Sequence, residues 1–501
     1  MTKRSDHPPV RGDPPKIPLL DTGVAGLNTI LNGGLPALSC NLIAGGPGSG
    51  KTTLSMQFLF ANATRARPGL FITLLGEPSL KMMRYQQQYA FFAAAKVGHA
   101  VHFLNLTSEA LAGDLDVVLQ SIEAAIARLH PGVVVVDSFR SLVRGADGGN
   151  EDGVQRFMQR LALRLTTADI TSLLIGEYEQ MHTTNPVLTV VDGIIWLTQA
   201  IDRNSVVRKL QVMKARGVAH LPGLHTMKLT SDGVVVYPRA LPLPTHTRAA
   251  VATRLGTGIP GLDALMGGGI PAGDSLVLAG PTGSGKTTFA LQFVAEGLRV
   301  GEAAVMAVFE EHPEIYLARA TAMGVHLHAA VAANRLRIIY LRPLDLSVDE
   351  TLEAIREAVG QIGATRVVID SISGFEMALA PTFREDFRES LYRLIGTLTA
   401  IGVTMYSTVE VAEQQRLQLT GHSVSFLTDM IVSQRFVEIE GELRKALVIV
   451  KMRGSNHSRE FWSYESTASG IVIGNTLREY DRVVTGLPRR QRRSAGPARQ
   501  A

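Results

Sequence analysis

The sequence predicts an α/β protein made of two tandem domains, each a mostly parallel sheet covered by helices. Three observations predict it. A glycine-rich pattern, G-x-x-x-x-G-K-[ST], occurs twice, each time after a short apolar run (Asn41-Leu42-Ile43-Ala44 and Leu276-Val277-Leu278-Ala279). The residues around the two copies repeat at one spacing. Strand-like and helix-like stretches alternate in each half, which is the pattern of a parallel sheet packed between helices.

The first copy runs through Gly45, Gly46, Pro47, Gly48, Ser49, Gly50, Lys51 and Thr52 and on to Thr53. The second runs through Gly280, Pro281, Thr282, Gly283, Ser284, Gly285, Lys286 and Thr287 and on to Thr288. The glycines let the backbone curl so that its N–H groups face phosphate. The lysine reaches the β- and γ-phosphates and the threonine hydroxyl meets Mg²⁺. A helix opening at the lysine adds the positive end of its dipole. One match in a long chain could arise by chance. Two, each after an apolar run, point to nucleotide binding.

The two lysines stand 235 residues apart (286 − 51). The same offset carries Thr22-Gly23 onto Thr257-Gly258, Gly33-Gly34 onto Gly268-Gly269, and Gln57-Phe58 onto Gln292-Phe293. Later landmarks drift by a couple of residues: Asp137 answers to Asp370, and Lys214-Ala215-Arg216-Gly217 to Lys451-Met452-Arg453-Gly454. A repeat this long is a domain, not a solenoid unit. The first domain is expected over 17–238 and the second over 254–486. Prolines 238, 242 and 244 forbid helix and central strand between them, so 239–253 reads as a linker. Residues 1–16 read as disordered, and so does the tail 487–501 with its five arginines.

In the first half, strands are expected near 41–45, 70–75, 133–137, 171–176, 191–197, 207–213 and 234–237. Helices are expected near 51–64, 79–94, 115–129 and 152–168. Val133–Val136 is apolar without alternation, as a strand buried on both faces should be.

Composition fits two buried cores, with 46% hydrophobic residues. No apolar run is long enough for a bilayer, so no membrane role is expected. The start, Met1-Thr2-Lys3-Arg4, leads into no apolar stretch, so no signal peptide is expected. A single cysteine, Cys40, excludes an internal disulfide and fits a reducing cytoplasm. The net charge of +5 is modest and much of it sits in the tail, which reads equally as a contact for nucleic acid or an acidic partner and as a solvated end.

Asp137 and Asp370 each end a β-branched run and are followed by serine. A lone Asp there is more often a turn or a cap. Twice beside a phosphate loop, it reads as the carboxylate of the Mg²⁺ shell, with Thr52 and Thr287. Attack by water also needs a base. In the second half Phe309-Glu310-Glu311-His312-Pro313 places two carboxylates at a strand end. At the common offset these fall on Leu75 and Gly76, and the first half offers only Glu77, one position late. One step along a strand turns the side chain to the other face. Glu77 therefore reads equally as a displaced base and as a helix cap. The sites are expected to be unequal, with the second hydrolysing nucleotide and the first slow or mainly binding. The basic pairs Lys214/Arg216 and Lys451/Arg453 read as groups that face the next subunit and act on its γ-phosphate.

Both loops, both aspartates, Phe-Glu-Glu-His-Pro and both Lys-x-Arg-Gly motifs together resemble the KaiC family, tandem RecA-like P-loop ATPases. The resemblance runs from about Thr22 to about Gly486 and is densest over Leu427–Ile439 and Gly441–Ser455. It implies ATP as nucleotide and self-association into a double-ring hexamer with ATP at every subunit interface. It further implies a second-domain autokinase acting on a Ser-Thr pair. Here the matching stretch is Ser425-Phe426-Leu427-Thr428-Asp429. Ser425 fits the first acceptor, Phe426 has no hydroxyl, and Thr420 lies about a turn upstream as a substitute. A two-site phosphorylation cycle is therefore not expected. The signalling or timing partner is not named by any motif. Two other readings stay open: a slow ATP-dependent assembly scaffold, and a DNA-handling recombinase. The recombinase reading is disfavoured. Arg140–Gly149 carries positive charge, but its partner, Ser373–Ala380, carries none.

Overall fold

The computed structural model describes residues 17–74, 79–112, 115–138, 151–178, 187–202, 205–239, 253–341, 347–379, 387–411, 428–485 and 488–490. These form two compact units, the first ending at Arg239. The expected linker falls largely on 240–252, outside the described residues.

Each unit is built on a nine-stranded sheet. In the first, the strands are β1 (Cys40–Gly45), β2 (Gly69–Thr73), β3 (Val101–Asn105), β4 (Val133–Asp137), β5 (Thr171–Glu177), β6 (Gly193–Asp202), β7 (Ser205–Ala215), β8 (His225–Thr230) and β9 (Gly233–Tyr237). Their order across the sheet is 3-2-4-5-1-6-7-8-9. In the second they are β10 (Ser275–Gly280), β11 (Ala304–Val308), β12 (Leu336–Tyr340), β13 (Arg366–Asp370), β14 (Thr404–Glu410), β15 (Met430–Ile439), β16 (Glu442–Met452), β17 (Trp462–Thr467) and β18 (Gly470–Thr476). Their order, 12-11-13-14-10-15-16-17-18, repeats the first strand for strand. The strands from β3 to β6 run parallel, and the later hairpins are antiparallel. The fold is that of tandem RecA-like α/β domains.

β4 shows why its sequence reads as it does. Val134 and Val136 enter a core with Val118, Ile122, Phe157 and Leu161 from helices Leu115–Leu129 and Glu151–Thr167. Val133 and Val135 enter the core on the other face, with Leu54, Phe58 and Leu59 from helix Lys51–Asn62. Period-2 geometry sends alternate valines to opposite faces, and helices cover both, so no position is left for a polar residue. Each fully buried side chain of this kind is worth roughly 1.5–3 kcal/mol.

Both phosphate loops sit between a buried strand and a helix that opens at the lysine, Lys51–Asn62 in one domain and Lys286–Arg299 in the other. Gly50 and Gly285 precede these helices, each at φ 100°. Glycine adopts this left-handed conformation without strain. Nearly two turns into each helix a glutamine reaches the last hairpin of its sheet. Gln57 Oε1 accepts from the Val234 N–H at 2.6 Å and Gln292 Oε1 from the Ile471 N–H at 2.8 Å. The hairpin glycines beside them, Gly233 at φ 102° and Gly470 at φ 110°, leave no room for a Cβ, which would lie 2.7 and 2.6 Å from the glutamines.

Three expectations need correction. The helix expected over 79–94 ends at Gln86. Beyond it, Phe91 and Phe92 turn onto Phe60 at ring distances of 6.1 and 4.7 Å, and the Ala90 N–H donates to the Ser231 carbonyl. Strands β3 and β8 were not expected; both are only partly apolar, and each is held by its neighbours' ladders. Within the expected tail, Arg489–Arg490 pairs as a short strand with Tyr480–Asp481, and Arg490 lies 3.4 Å from Glu479. No helix among the described residues is long and apolar enough to cross a membrane.

Candidate nucleotide sites

The carboxyl edge of each parallel sheet brings the expected residues together. Thr52 Oγ1 donates to Asp137 Oδ2 at 2.8 Å, and Thr287 Oγ1 to Asp370 Oδ2 at 2.9 Å. The threonine opens the helix and the aspartate closes β4 or β13, so the pairing repeats across more than 80 residues of chain in both domains. A hydroxyl and a carboxylate oxygen meeting beside a phosphate loop fit the hard-oxygen donors of Mg²⁺. Lys51 Nζ donates to the Gly46 carbonyl at 2.7 Å, and Lys286 Nζ to those of Pro281 and Gly280 at 2.8 and 2.9 Å. Each ammonium thus lies folded over its own loop. Burial pulls both lysines below their ordinary range. Carboxylates oppose that pull: Glu177 and Asp137 at Lys51, and Glu410, Asp370 and Glu310 at Lys286.

The two aspartates are held differently. Asp370 accepts from Thr287, from Tyr316 Oη at 3.1 Å, and on its other oxygen from Thr408 Oγ1. In the first domain Ile175 stands at the place of Thr408 and Lys81 at that of Tyr316. Lys81 is exposed and its ammonium lies 5.9 Å from the Tyr85 ring. Burial raises Asp137 above the usual carboxylate range, partly offset by Thr52 and Lys51.

The structure separates the two glutamates of the Glu-Glu step. Glu310 Oε1 accepts from Ser371 Oγ at 2.7 Å, which ties it to the residue after Asp370. Glu311 turns away and pairs with Arg319 at 3.0 Å. Glu77, Ser425 and Thr420 lie outside the described residues, as does the stretch 139–150.

Lys214 Nζ donates to the Val191 carbonyl at 2.6 Å, and Lys451 Nζ to that of Thr428 at 2.6 Å. Arg216 lies 3.3 Å from Asp192 and Arg453 lies 3.8 Å from Asp429. Both arginine side chains are more than half exposed. Each aspartate also anchors the start of the phosphate-loop strand, through the N–H of Cys40 or Ser275 at 3.0 Å. The Lys-x-Arg pairs therefore bracket their own loop strand from its far end.

Two site residues were missed by sequence reasoning, Glu177 and Glu410. They end β5 and β14, the strands that flank the phosphate-loop strands, and in register they face Gly45 and Gly280. Their common spacing of 233 residues (410 − 177) matches that of the aspartates and was the available signal.

A doubled phosphate loop, a doubled Thr–Asp pair and two RecA-like sheets define a tandem P-loop ATPase. A family model described as "ATPase: KaiC" matches residues 20–240 and again 255–478. The chain belongs to the KaiC family. It is 28% identical over 484 residues to the circadian clock oscillator protein KaiC of Prochlorococcus marinus (strain MIT 9313), covering 94% of this chain and 95% of the relative. It is likewise 28% identical to the protein of that name from Parathermosynechococcus lividus, covering 97% and 90%. With that from Thermostichus vulcanus it shares 26% over 98% and 96%.

Proposed function

We propose that the chain binds Mg-ATP at both phosphate loops and hydrolyses it, competently in the second domain and slowly in the first. The observation that carries this reading is the pairing of Asp370 with three hydroxyls beside Glu310, against one hydroxyl at Asp137 among the described residues. Mg²⁺ held by Thr287 and Asp370, or by Thr52 and Asp137, would draw negative charge from the phosphates as the terminal bond breaks. Lys286 and Lys51 exchange their loop carbonyls for phosphate oxygens. Glu310, held by Ser371, orients or deprotonates the attacking water.

The chain is further proposed to assemble into a double-ring hexamer in the cytoplasm, with ATP at the subunit interfaces. There Arg216 and Arg453 reach the neighbour's γ-phosphate. The relatives' name, circadian clock oscillator protein, supports a role as a signalling or timing switch towards a partner protein. Autophosphorylation, if the second domain performs it, uses a single site on Ser425 or Thr420, since Phe426 has no hydroxyl. Size determination with and without Mg-ATP, joined to phosphopeptide mapping, tests both parts. A monomer under ATP would sink the ring. Absence of phosphate on Ser425, Thr420 and Thr428 would sink the kinase.

A further inference from the structure

The carboxylate nearest each phosphate loop in the strand ladder belongs to neither the Asp137/Asp370 pair nor the Glu310–Glu311 step. In the second sheet the order β11, β13, β14, β10 sets Glu310, Asp370 and Glu410 side by side along one edge, with Glu410 next to the loop strand. Glu410 pairs in register with Gly280 and accepts the hydroxyl of Thr282, at the tip of the loop. Its own N–H donates to Ser373 Oγ at 3.1 Å, fixing the strand end against the helix that follows Asp370. In the first sheet Glu177 pairs with Gly45 in the same register. Among the carboxylates opposing the burial of Lys51 its charge ranks first, as Glu410's does at Lys286. The difference lies one strand further out. At the common offset Glu310 falls on Leu75, which has no carboxyl group, and Leu75 and Glu77 lie outside the described residues.

We propose that Glu177 is the catalytic base of the first domain, and that Glu410 is its counterpart, a second carboxylate at the water position of the second. This rests on the reading of both loops as ATP sites. The lysine that Glu177 faces is the one that reaches the γ-phosphate, so a carboxylate there lies beside the phosphorus under attack. As the water oxygen bonds to the γ-phosphorus, the bond from that phosphorus to the ADP oxygen breaks. The water proton passes to the Glu177 carboxylate and from there to solvent. Among the described residues the first domain thus hydrolyses with one glutamate where the second has two.

The test uses the full-length chain. Lys286→Ala removes nucleotide from the second loop and leaves first-domain turnover as the signal. Adding Glu177→Gln is expected to lower phosphate release at least tenfold, with the number of bound nucleotides per chain unchanged. Glu177→Asp should restore part of the rate. The acidic limb of the pH–rate profile, set by the base, should vanish in the Gln variant and not in the Asp variant. An unchanged rate in the double variant overturns the assignment. So does a loss of bound nucleotide in proportion to the rate, which would mark Glu177 as a structural support. No turnover in the Lys286→Ala chain also overturns it. No turnover in the unmodified chain would instead overturn the ATPase reading itself.

Discussion

Tyr316 donates its hydroxyl to Asp370 at 3.1 Å from a helix whose counterpart in the first domain carries Lys81. The ring is buried, and burial beside Asp370 holds the phenol protonated far above its ordinary range. Tyr316 is therefore a fixed donor that aims one carboxylate oxygen. Tyr316→Phe should leave ATP bound but raise the Mg²⁺ concentration needed for half-maximal turnover several-fold. A hydrogen bond to a charged group is worth about 1.5–3 kcal/mol, and Thr287 and Thr408 still hold the aspartate. Magnesium titrations of turnover check this; an unshifted midpoint counts against it.

The two loops should act as separable sites. Lys51→Ala should remove one nucleotide per chain and Lys286→Ala the other, each leaving one behind. Counting bound nucleotide after gel filtration distinguishes this from a single shared site, where either variant would empty both.

Glu310→Gln should lower steady-state turnover by a hundredfold or more, in line with the loss of a general base. Glu311→Gln should do far less to the chemistry, because Glu311 is engaged by Arg319. Glu77→Gln should change the rate only slightly. The assignment fails if Glu77→Gln abolishes turnover while Glu310→Gln leaves it intact.

Arg453 can be tested by mixing. Chains with Lys286→Ala lack the second loop's phosphate contact, and chains with Arg453→Ala lack the arginine. If the arginine acts on a neighbour's nucleotide, each homogeneous preparation should be slow in the second domain, and the mixture should recover turnover. Recovery requires an interface with an intact loop on one side and an intact arginine on the other. An unrecovered mixture means Arg453 acts within its own chain, through Asp429.

Cys40 offers a pH test of folding. Burial pushes its thiol up to about 11, with the charge of Asp192 adding. Because the folded value exceeds the unfolded one, the contribution to stability is present below about pH 9 and is lost as pH rises towards 11. The loss is about 2–3 kcal/mol over that window. Urea denaturation at pH 8 and pH 10.5, in the native chain and in Cys40→Ala, should show a steeper decline in the native chain.

What was legible in the sequence was what lies contiguous along it. The phosphate loops are eight-residue patterns whose chemistry needs no partner to be recognised. Asp137 and Asp370 were legible because each ends an uninterrupted apolar run. Glu177 and Glu410 were not. Their place beside Gly45 and Gly280 comes from parallel pairing across about 130 residues, and register between distant parallel strands leaves no local mark. The inequality of Glu310 and Glu311 was hidden for a similar reason: Arg319, which claims Glu311, stands two helical turns away. Strands β3 and β8 escaped because half-buried strands carry mixed side chains, and tertiary pairing rather than propensity makes them strands.

Gln57 and Gln292 carry a consequence for biosynthesis. Each sits on the helix that opens at the phosphate-binding lysine, and each takes its partner N–H from a hairpin 177 or 179 residues later. A chain emerging from the ribosome makes the lysine early but cannot clamp its helix until the end of that domain has been released. Neither pocket is then complete on the growing chain before its own last hairpin arrives. Nucleotide should therefore first be captured by the leading domain as a finished unit, while the trailing one is still being translated.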